Sequence, residues 1–336
     1  AFDSVGTDIV IDGEMAAGSG ELLRMKRGVA VRIFTGAAVP EGADTVIPQE
    51  KIKLDGNRLI ITDANLKRGD NVRPVGSEIR KADLAMGKGE TLTPAAIGFL
   101  AGMGINLVKV FPKPRVSIIV TGNELQHPGQ PLEYGQVFES NSYTLISALS
   151  QLHIDQVDVN RSNDDPVQLR ALLTAALERS ELVLMTGGVS VGDYDYTLRT
   201  FESCGVSPVF HKIRQKPGKP ILFGTKNGKA VFGLPGNPAS VLTCFYQYVY
   251  PAIGKMMNRA LHLQSVRTPL MTPYEKSAGL THFLKAIYDG LEVRLLTGQE
   301  SYKLNSFAKA NCLVVIPEHI NFVNTGDEVE VHILPA

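Results

Sequence analysis

Lys216 and Lys219 stand three residues apart in the run Lys216-Pro217-Gly218-Lys219-Pro220. The prolines fix φ between and after the lysines, so both ammonium groups are carried on a stiffened loop. Lysines held in this way suit a phosphate or another oxyanion. Three glycine loops accompany them: Thr121-Gly122-Asn123-Glu124, Thr186-Gly187-Gly188-Val189-Ser190, and Gly233-Leu234-Pro235-Gly236-Asn237-Pro238-Ala239-Ser240. Glycine tolerates φ > 0 and lets a ligand approach the backbone, and successive exposed N–H groups form a concavity for an anion. Carboxylates punctuate the same stretches, at Glu124, Asp164 or Asp165, Asp193 and Asp195, with Lys212 a further cation. Carboxylates beside phosphates suit Mg²⁺, which completes its shell with water and phosphate oxygen. The set implies a phosphate-bearing ligand and metal-assisted transfer or hydrolysis. Plainer roles stand beside these: Asp165 as a helix cap, Asp193 as a turn residue, Lys212 as a solvated charge. The spacing G-x-x-x-x-G-K-[ST] is absent, which excludes a P-loop nucleotide site.

The elements that position these residues alternate in type. Apolar runs at 116–120, 157–159, 182–185, 221–223 and 230–234 read as strands. Between them, 140–142 opens a helix with Leu145, Ile146, Leu149 and Leu152 at helical spacing. Asp165-Pro166 caps another, with Leu169, Leu172, Leu173, Ala176 and Leu177 on one face. Helices are also expected over 196–204, stopped by Gly205, and from about 239. Continuous apolar strands alternating with helices predict an α/β fold, a central doubly wound and mostly parallel sheet. All three glycine loops follow strand carboxyl ends, where ligands bind in such sheets.

Both flanks read as β-rich. Residues 1–82 carry short apolar runs (29–34, 45–48, 59–61) broken by turns, as in a small barrel or sandwich. Residues 83–110 hold a helix opened by Thr93-Pro94 and a strand at 108–110. Residues 111–261 form the α/β domain. Residues 262–336 close the chain as a β-barrel domain, with a hairpin about Asp289-Gly290 and an alternating strand at 329–333. The chain is thus expected to hold several domains.

The chain has 336 residues, enough for several domains, with 34 basic and 34 acidic side chains. A zero formal net charge gives no global electrostatic case for nucleic acid or an anionic membrane. Cys204, Cys244 and Cys312 are odd in number and far apart, which argues against a disulfide framework or structural zinc and fits a reducing cytoplasm. No apolar run approaches the roughly 20 residues that span a bilayer. Ala1 opens directly into strand-like sequence with no Met, so residues before it are expected.

The segments at 31–50, 73–79 (Arg-Pro-Val-Gly-Ser-Glu-Ile), 120–132, 186–197, 216–220 and 233–240 together resemble the MoeA family of molybdopterin molybdenumtransferases, which includes the E domain of gephyrin. The match follows the family's order over essentially the whole chain. The resemblance implies the last step of molybdenum cofactor synthesis: adenylylated molybdopterin and molybdate are the substrates, the metal enters at the dithiolene, and AMP leaves with Mg²⁺ present. It implies an elongated multidomain chain, with residues 83–110 a segment of a further domain whose other part lies before residue 1. It also implies a cytoplasmic homodimer, with a molybdopterin adenylyltransferase and molybdoenzyme delivery proteins as partners.

Carried over by position, Glu124, Asp164, Asp195, Lys216 and Lys219 are the expected catalytic residues. Thr35, Gly187, Gly188, Ser190, Pro220, Pro235, Gly236, Pro238, Ser240 and Ser306 are expected to bind the cofactor. Glu78, Glu124 and Asp195 are expected to contact the metal. Two departures stand out. The family's motif bearing an important Asp is expected before Ala1. The family's Arg in the last domain is replaced by Leu280, with Lys285 the nearby cation that would supply the charge. A cofactor-binding scaffold and a molybdopterin adenylyltransferase are the alternatives. The intact Lys216–Pro220 and Gly233–Ser240 loops argue against the first, and the flanking β domains against the second.

Overall fold

The computed structural model describes residues 9–20, 23–188 and 196–335. The chain divides into two compact units, Ala1–Leu100 and Ala101–Ala336.

The first unit holds β1 (Ile9–Met15), β2 (Val29–Ile33), β3 (Ile52–Asp55) and β4 (Arg58–Ile61), in the order β2-β1-β4-β3. β1 and β2 are parallel; the other pairs are antiparallel. The expected strand at 45–48 does not form. Val46 N–H donates to the Asp70 carbonyl at 3.0 Å and Asn71 Nδ2 to the Val46 carbonyl at 2.8 Å, so this backbone is satisfied by a turn instead of a ladder. Helix α1 (Pro94–Gly102) starts as expected: Thr93 Oγ1 accepts from Ala96 N–H at 3.2 Å. Residues 108–110 form no strand, and Val108 and Val110 lie exposed with no ladder partner.

The second unit is built on a six-stranded sheet. In chain order its segment contains β5 (Val116–Thr121), β6 (Leu125–Gln126), β7 (Val137–Phe138), α2 (Asn141–Ser150), β8 (Val157–Ser162), α3 (Pro166–Arg179) and β9 (Leu182–Thr186). It continues with α4 (Tyr196–Ser203), β10 (Ser207–His211), β11 (Gln215–Lys216), β12 (Leu222–Lys226), β13 (Lys229–Leu234), α5 (Pro238–Cys244) and α6 (Tyr250–Met256); a π-helical turn at 245–249 joins the last two. The order is β10-β12-β13-β9-β5-β8. The four strands from β13 to β8 are parallel, while β10, β12 and β13 pair antiparallel. The sheet is therefore mixed, because the short turn at 227–228 allows only a hairpin.

Successive residues of a strand point to opposite faces, and here both faces are covered. Ile118, Val120, Leu182 and Leu184 pack with α2 and α5–α6, through Leu145, Leu149, Val241, Phe245 and Ile253. Ile119, Val183 and Met185 face α3 and α4, through Leu169, Leu173 and Phe201. That double burial explains why these strands lack polar alternation. Asp165 caps α3 as expected, its Oδ1 accepting from Val167 N–H at 2.9 Å. Helix α2 is capped differently from expectation. Ser140 makes no side-chain cap; the Glu139 carboxylate accepts from Ser142 N–H at 2.7 Å and from Ser142 Oγ at 2.5 Å.

The remaining strands are β14 (Gln264–Pro269), β15 (Tyr274–Glu275), β16 (Thr281–Tyr288), β17 (Val293–Leu295), β18 (Cys312–Ile316), β19 (Phe322–Val323) and β20 (Glu328–Ile333), with the short helix α7 (Leu304–Phe307) between β17 and β18. A second six-stranded sheet runs β11-β16-β18-β20-β14, with β17 on β16. Phe283, Leu313 and Val315 join the core beneath the first sheet, while Leu284, Val314 and Val331 form a core on the other face. Gln215 and Lys216 thus pair in parallel with Thr281 and His282, threading the lysine segment onto the second sheet.

Candidate active site

Because β8, β5, β9 and β13 are parallel and in register, the loops after Ser162, Thr121, Thr186 and Leu234 leave from one sheet edge. The first two glycine loops interlock. Gly187 has φ +85°, and a Cβ there would lie 2.7 Å from Thr121 Oγ1 and closer still to the Thr121 carbonyl oxygen. The glycine is required by this approach of protein to protein, a different cause from the ligand approach expected of it. The third loop is tied in by Asn141, whose Nδ2 donates to the Gly236 carbonyl at 2.9 Å. Asp164 N–H donates to Asn123 Oδ1 at 3.2 Å, fixing the β8–α3 loop against the first.

The lysine loop rests on a buried support. Gln215 Nε2 donates to the Pro217 carbonyl at 2.9 Å, and Tyr248 Oη donates to Gln215 Oε1. Burial pushes the Tyr248 phenol up to about 12, so it stays a neutral donor. Gly218 presses on Cys244, and a Cβ there would stand 2.8 Å from Gln215 Nε2. Ile213 N–H donates to the Lys219 carbonyl at 2.9 Å and Ile221 N–H to the Gly218 carbonyl at 3.2 Å. The backbone is thereby fixed while both lysine side chains remain exposed.

These loops surround a cleft of about 1070 Å³. Glu124, Asp164, Lys216 and Lys219 line it together, as do Gly187, Gly188 and Gly236. Pro220, Pro235, Pro238 and Ser240 line it as well, Ser240 buried in the first turn of α5. Lys212 is not among the described residues of the lining. Ser190, Asp193 and Asp195 lie outside the described residues. Thr35 and Glu78 belong to the first unit, each exposed in a bend.

Two expectations need correction. Ser306 is buried, its Oγ donates to the Thr297 carbonyl at 2.7 Å, and it is not among the described lining residues. Lys285 does not replace the missing Arg. Its ammonium is buried and donates to three backbone carbonyls, of Gly298, Glu300 and Lys303, at 2.6, 3.2 and 3.0 Å. At the expected Arg position the apolar Leu280 lines the cleft.

Sequence reasoning missed several lining residues. Gln215, Gln299, Ser301 and Tyr302 come to the cleft through the second sheet, and no local motif announces them. Glu139 was legible as an acid beside a Ser-Asn-Ser cluster, yet its burial with Arg161 at 3.5 Å was not. Among the described residues, the buried Oγ1 of Thr121 and Oδ1 of Asn141, two residues that line the cleft, have no hydrogen-bond partner, and neither do Thr186 Oγ1 and Thr197 Oγ1. Thr121 Oγ1 and Thr197 Oγ1 converge on Gly188, each 3.2 Å from where its Cβ would be. Unpaired buried groups of this kind suit a ligand rich in donors and acceptors. Among the described residues no three His, Cys, Asp or Glu side chains gather into a metal site. Glu124 and Asp164 nevertheless suit Mg²⁺, which takes one or two carboxylates and completes its octahedron with water and phosphate oxygen.

Three family models match the chain in succession: "MoeA N-terminal region (domain I and II)" over residues 3–104, "Probable molybdopterin binding domain" over 117–255, and "MoeA C-terminal region (domain IV)" over 267–334. The molybdopterin molybdenumtransferase of Haemophilus influenzae is 34% identical over 312 residues, covering 90% of this chain and 76% of that enzyme. The chain belongs to the molybdopterin molybdenumtransferase family, MoeA. It is an enzyme of molybdenum cofactor biosynthesis. The molybdopterin molybdenumtransferase of Nostoc sp. is 33% identical over 335 residues, covering 96% of this chain and 76% of the relative. A crystal structure of the molybdopterin biosynthesis MoeA protein from Pyrococcus horikoshii matches with a TM-score of 0.81 at 31% identity, covering 97% of this chain and 81% of that one. The MoeA enzyme's mixed α/β architecture is thus shared with its relatives.

Proposed function

We propose that this MoeA enzyme inserts molybdate into adenylylated molybdopterin and releases AMP, and that Mg²⁺ takes part. The observation that carries this reading is the meeting of Lys216 and Lys219 with Glu124 and Asp164 across one cleft walled by glycine loops. Lys216 and Lys219 hold the molybdate oxyanion and offset its repulsion with the substrate phosphates. The backbone at Gly187, Gly188 and Gly236 receives phosphate oxygens. The Ser240 hydroxyl donates to the oxyanion, while Pro220, Pro235 and Pro238 shape the wall. Glu124 and Asp164, with Asp195, would hold the cation, which would supply Lewis-acid polarisation of a phosphoryl oxygen there. Water oxygen bonds to one phosphorus of the anhydride as its P–O–P bond breaks, leaving AMP and molybdopterin phosphate and releasing protons to solvent or a carboxylate. At the dithiolene two bonds from sulfur to molybdenum form as one oxygen of molybdate leaves as water with the two thiol protons. Ser190 is proposed as a phosphate contact of the second glycine loop. Thr35 is proposed as a cofactor contact and Glu78 as a metal contact on the family resemblance; Ser306 has no role in this reading of the cleft.

A cytoplasmic homodimer that receives its substrate from a molybdopterin adenylyltransferase and hands product to delivery proteins is part of the same proposal. No described helix is long and apolar enough to cross a membrane. The test uses the purified chain with adenylylated molybdopterin. AMP release is expected only with molybdate present and is expected to stop on chelation of divalent cations. AMP release indifferent to molybdate, or pyrophosphate release from ATP and molybdopterin, overturns the reading.

A further inference from the structure

Lys285 is 3% exposed, and among the described residues no carboxylate pairs with its ammonium. A buried cation is costly unless fully hydrogen-bonded, and here each of its three N–H bonds goes to one loop, residues 297–303. That loop belongs to no helix or strand, and its own turn bond, from Lys303 N–H to the Glu300 carbonyl at 3.1 Å, braces only its end. Gln299 folds back instead: its Oε1 accepts from Lys285 N–H at 2.9 Å, and its Nε2 donates to the carbonyls of Lys285 and Leu296, both at 2.8 Å. Ser306 Oγ holds the loop's first carbonyl, that of Thr297. Lys285 thus engages the loop with both its backbone and its side chain.

The loop ends in the cleft. Gln299, Ser301 and Tyr302 line it. Ser301 also fastens the entrance of α5: its carbonyl accepts from Ala239 N–H at 3.0 Å and its Oγ from Asn237 Nδ2 at 2.8 Å. A chain of bonds therefore runs from Lys285, on β16, through the loop to the glycine loop that presents Pro238 and Ser240.

We propose that Lys285 is a positioning residue of the active site, setting the 297–303 loop and through Ser301 the α5 entrance, without touching substrate. The kinetic part rests on the molybdate-insertion reading; the structural part does not. Lys285→Met leaves the three carbonyls that face the buried ammonium without that donor and frees the loop, while Lys285→Gln keeps a shorter donor and has a smaller effect. Val331→Ala opens a cavity in the second sheet away from the loop and is the control for general destabilisation.

Two readouts decide it on the full chain. Hydrogen exchange of the apo protein is expected to rise at least tenfold in amides of 297–303 in Lys285→Met, less in Lys285→Gln, and in Val331→Ala no more there than elsewhere in the sheet. In molybdate-dependent AMP release, Lys285→Met is expected to raise KM for adenylylated molybdopterin at least tenfold with kcat within about threefold, and Val331→Ala to leave both near wild type. If Lys285→Met does not fold, the Lys285→Gln values decide. Exchange raised evenly over the second sheet, or an unchanged KM beside an active wild type, overturns the proposal. A wild type without turnover overturns the functional reading instead, and the exchange result still judges Lys285.

Discussion

Gly187→Ala tests whether the interlock of the first two glycine loops builds the cleft. Two costs are expected. At φ +85° a side chain is strained, by about 1–2 kcal/mol. The new Cβ also meets Thr121 Oγ1 at 2.7 Å and its carbonyl at shorter range, and overpacking of a rigid contact costs about 1–3 kcal/mol. The sum is about 2–5 kcal/mol. Gly228→Ala is the internal control: φ is +77° in the β12–β13 hairpin and nothing lies within 4 Å of the added Cβ, so only the first cost applies. The entropic gain of replacing glycine is common to both and cancels. Urea unfolding followed by far-UV circular dichroism is expected to give Gly187→Ala a loss larger than that of Gly228→Ala by at least about 1 kcal/mol. Equal losses would refute the argument that Thr121 and Gly187 are packed without slack.

Burial, then the neighbouring charges of Lys216 and Lys276, push His282 down to about 4, and Tyr274 Oη lies 2.7 Å from its Nδ1. Its folded pKa is below the unfolded value, so its contribution to stability is present above about pH 6.5 and is lost as pH falls toward 4. NMR titration is expected to find that low pKa and to find it raised in Lys216→Ala; a His282 titrating near 6.5 contradicts this placement. All three cysteines are buried, with the Cys244 thiol pushed up by burial and that of Cys312 up to about 12. A thiol reagent is therefore expected to leave the native chain unlabelled and to label three sites in guanidinium; rapid native labelling would contradict it.

The central sheet was legible because its strands are buried on both faces and read as unbroken apolar runs. Asp165-Pro166 and Thr93-Pro94 announced their helices through local capping chemistry. The expected strands at 45–48 and 108–110 failed for a different reason: a short apolar run becomes a strand only if a partner ladder reaches it, and sequence does not supply that partner. The cleft's glycine loops were legible for the same reason as the sheet, since parallel strands place their carboxyl ends together, whereas Lys216 and Lys219 were legible from the prolines of their own loop. Gln215, Gln299, Ser301 and Tyr302 were not, because they enter through the pairing of β11 with β16, a contact 66 residues apart between Gln215 and Thr281. Lys285 shows the limit most plainly. Its type announced a site cation, but only burial and three carbonyl partners reveal its actual work.

The most direct measurement of the central claim is molybdate-dependent AMP release in Lys219→Ala beside Lys212→Ala. Lys219 lines the cleft on its braced loop, whereas Lys212 precedes that loop and is not among the described lining residues. With both variants folded, the account predicts that Lys219→Ala abolishes release and Lys212→Ala keeps it near wild type. Unchanged release in folded Lys219→Ala would contradict it.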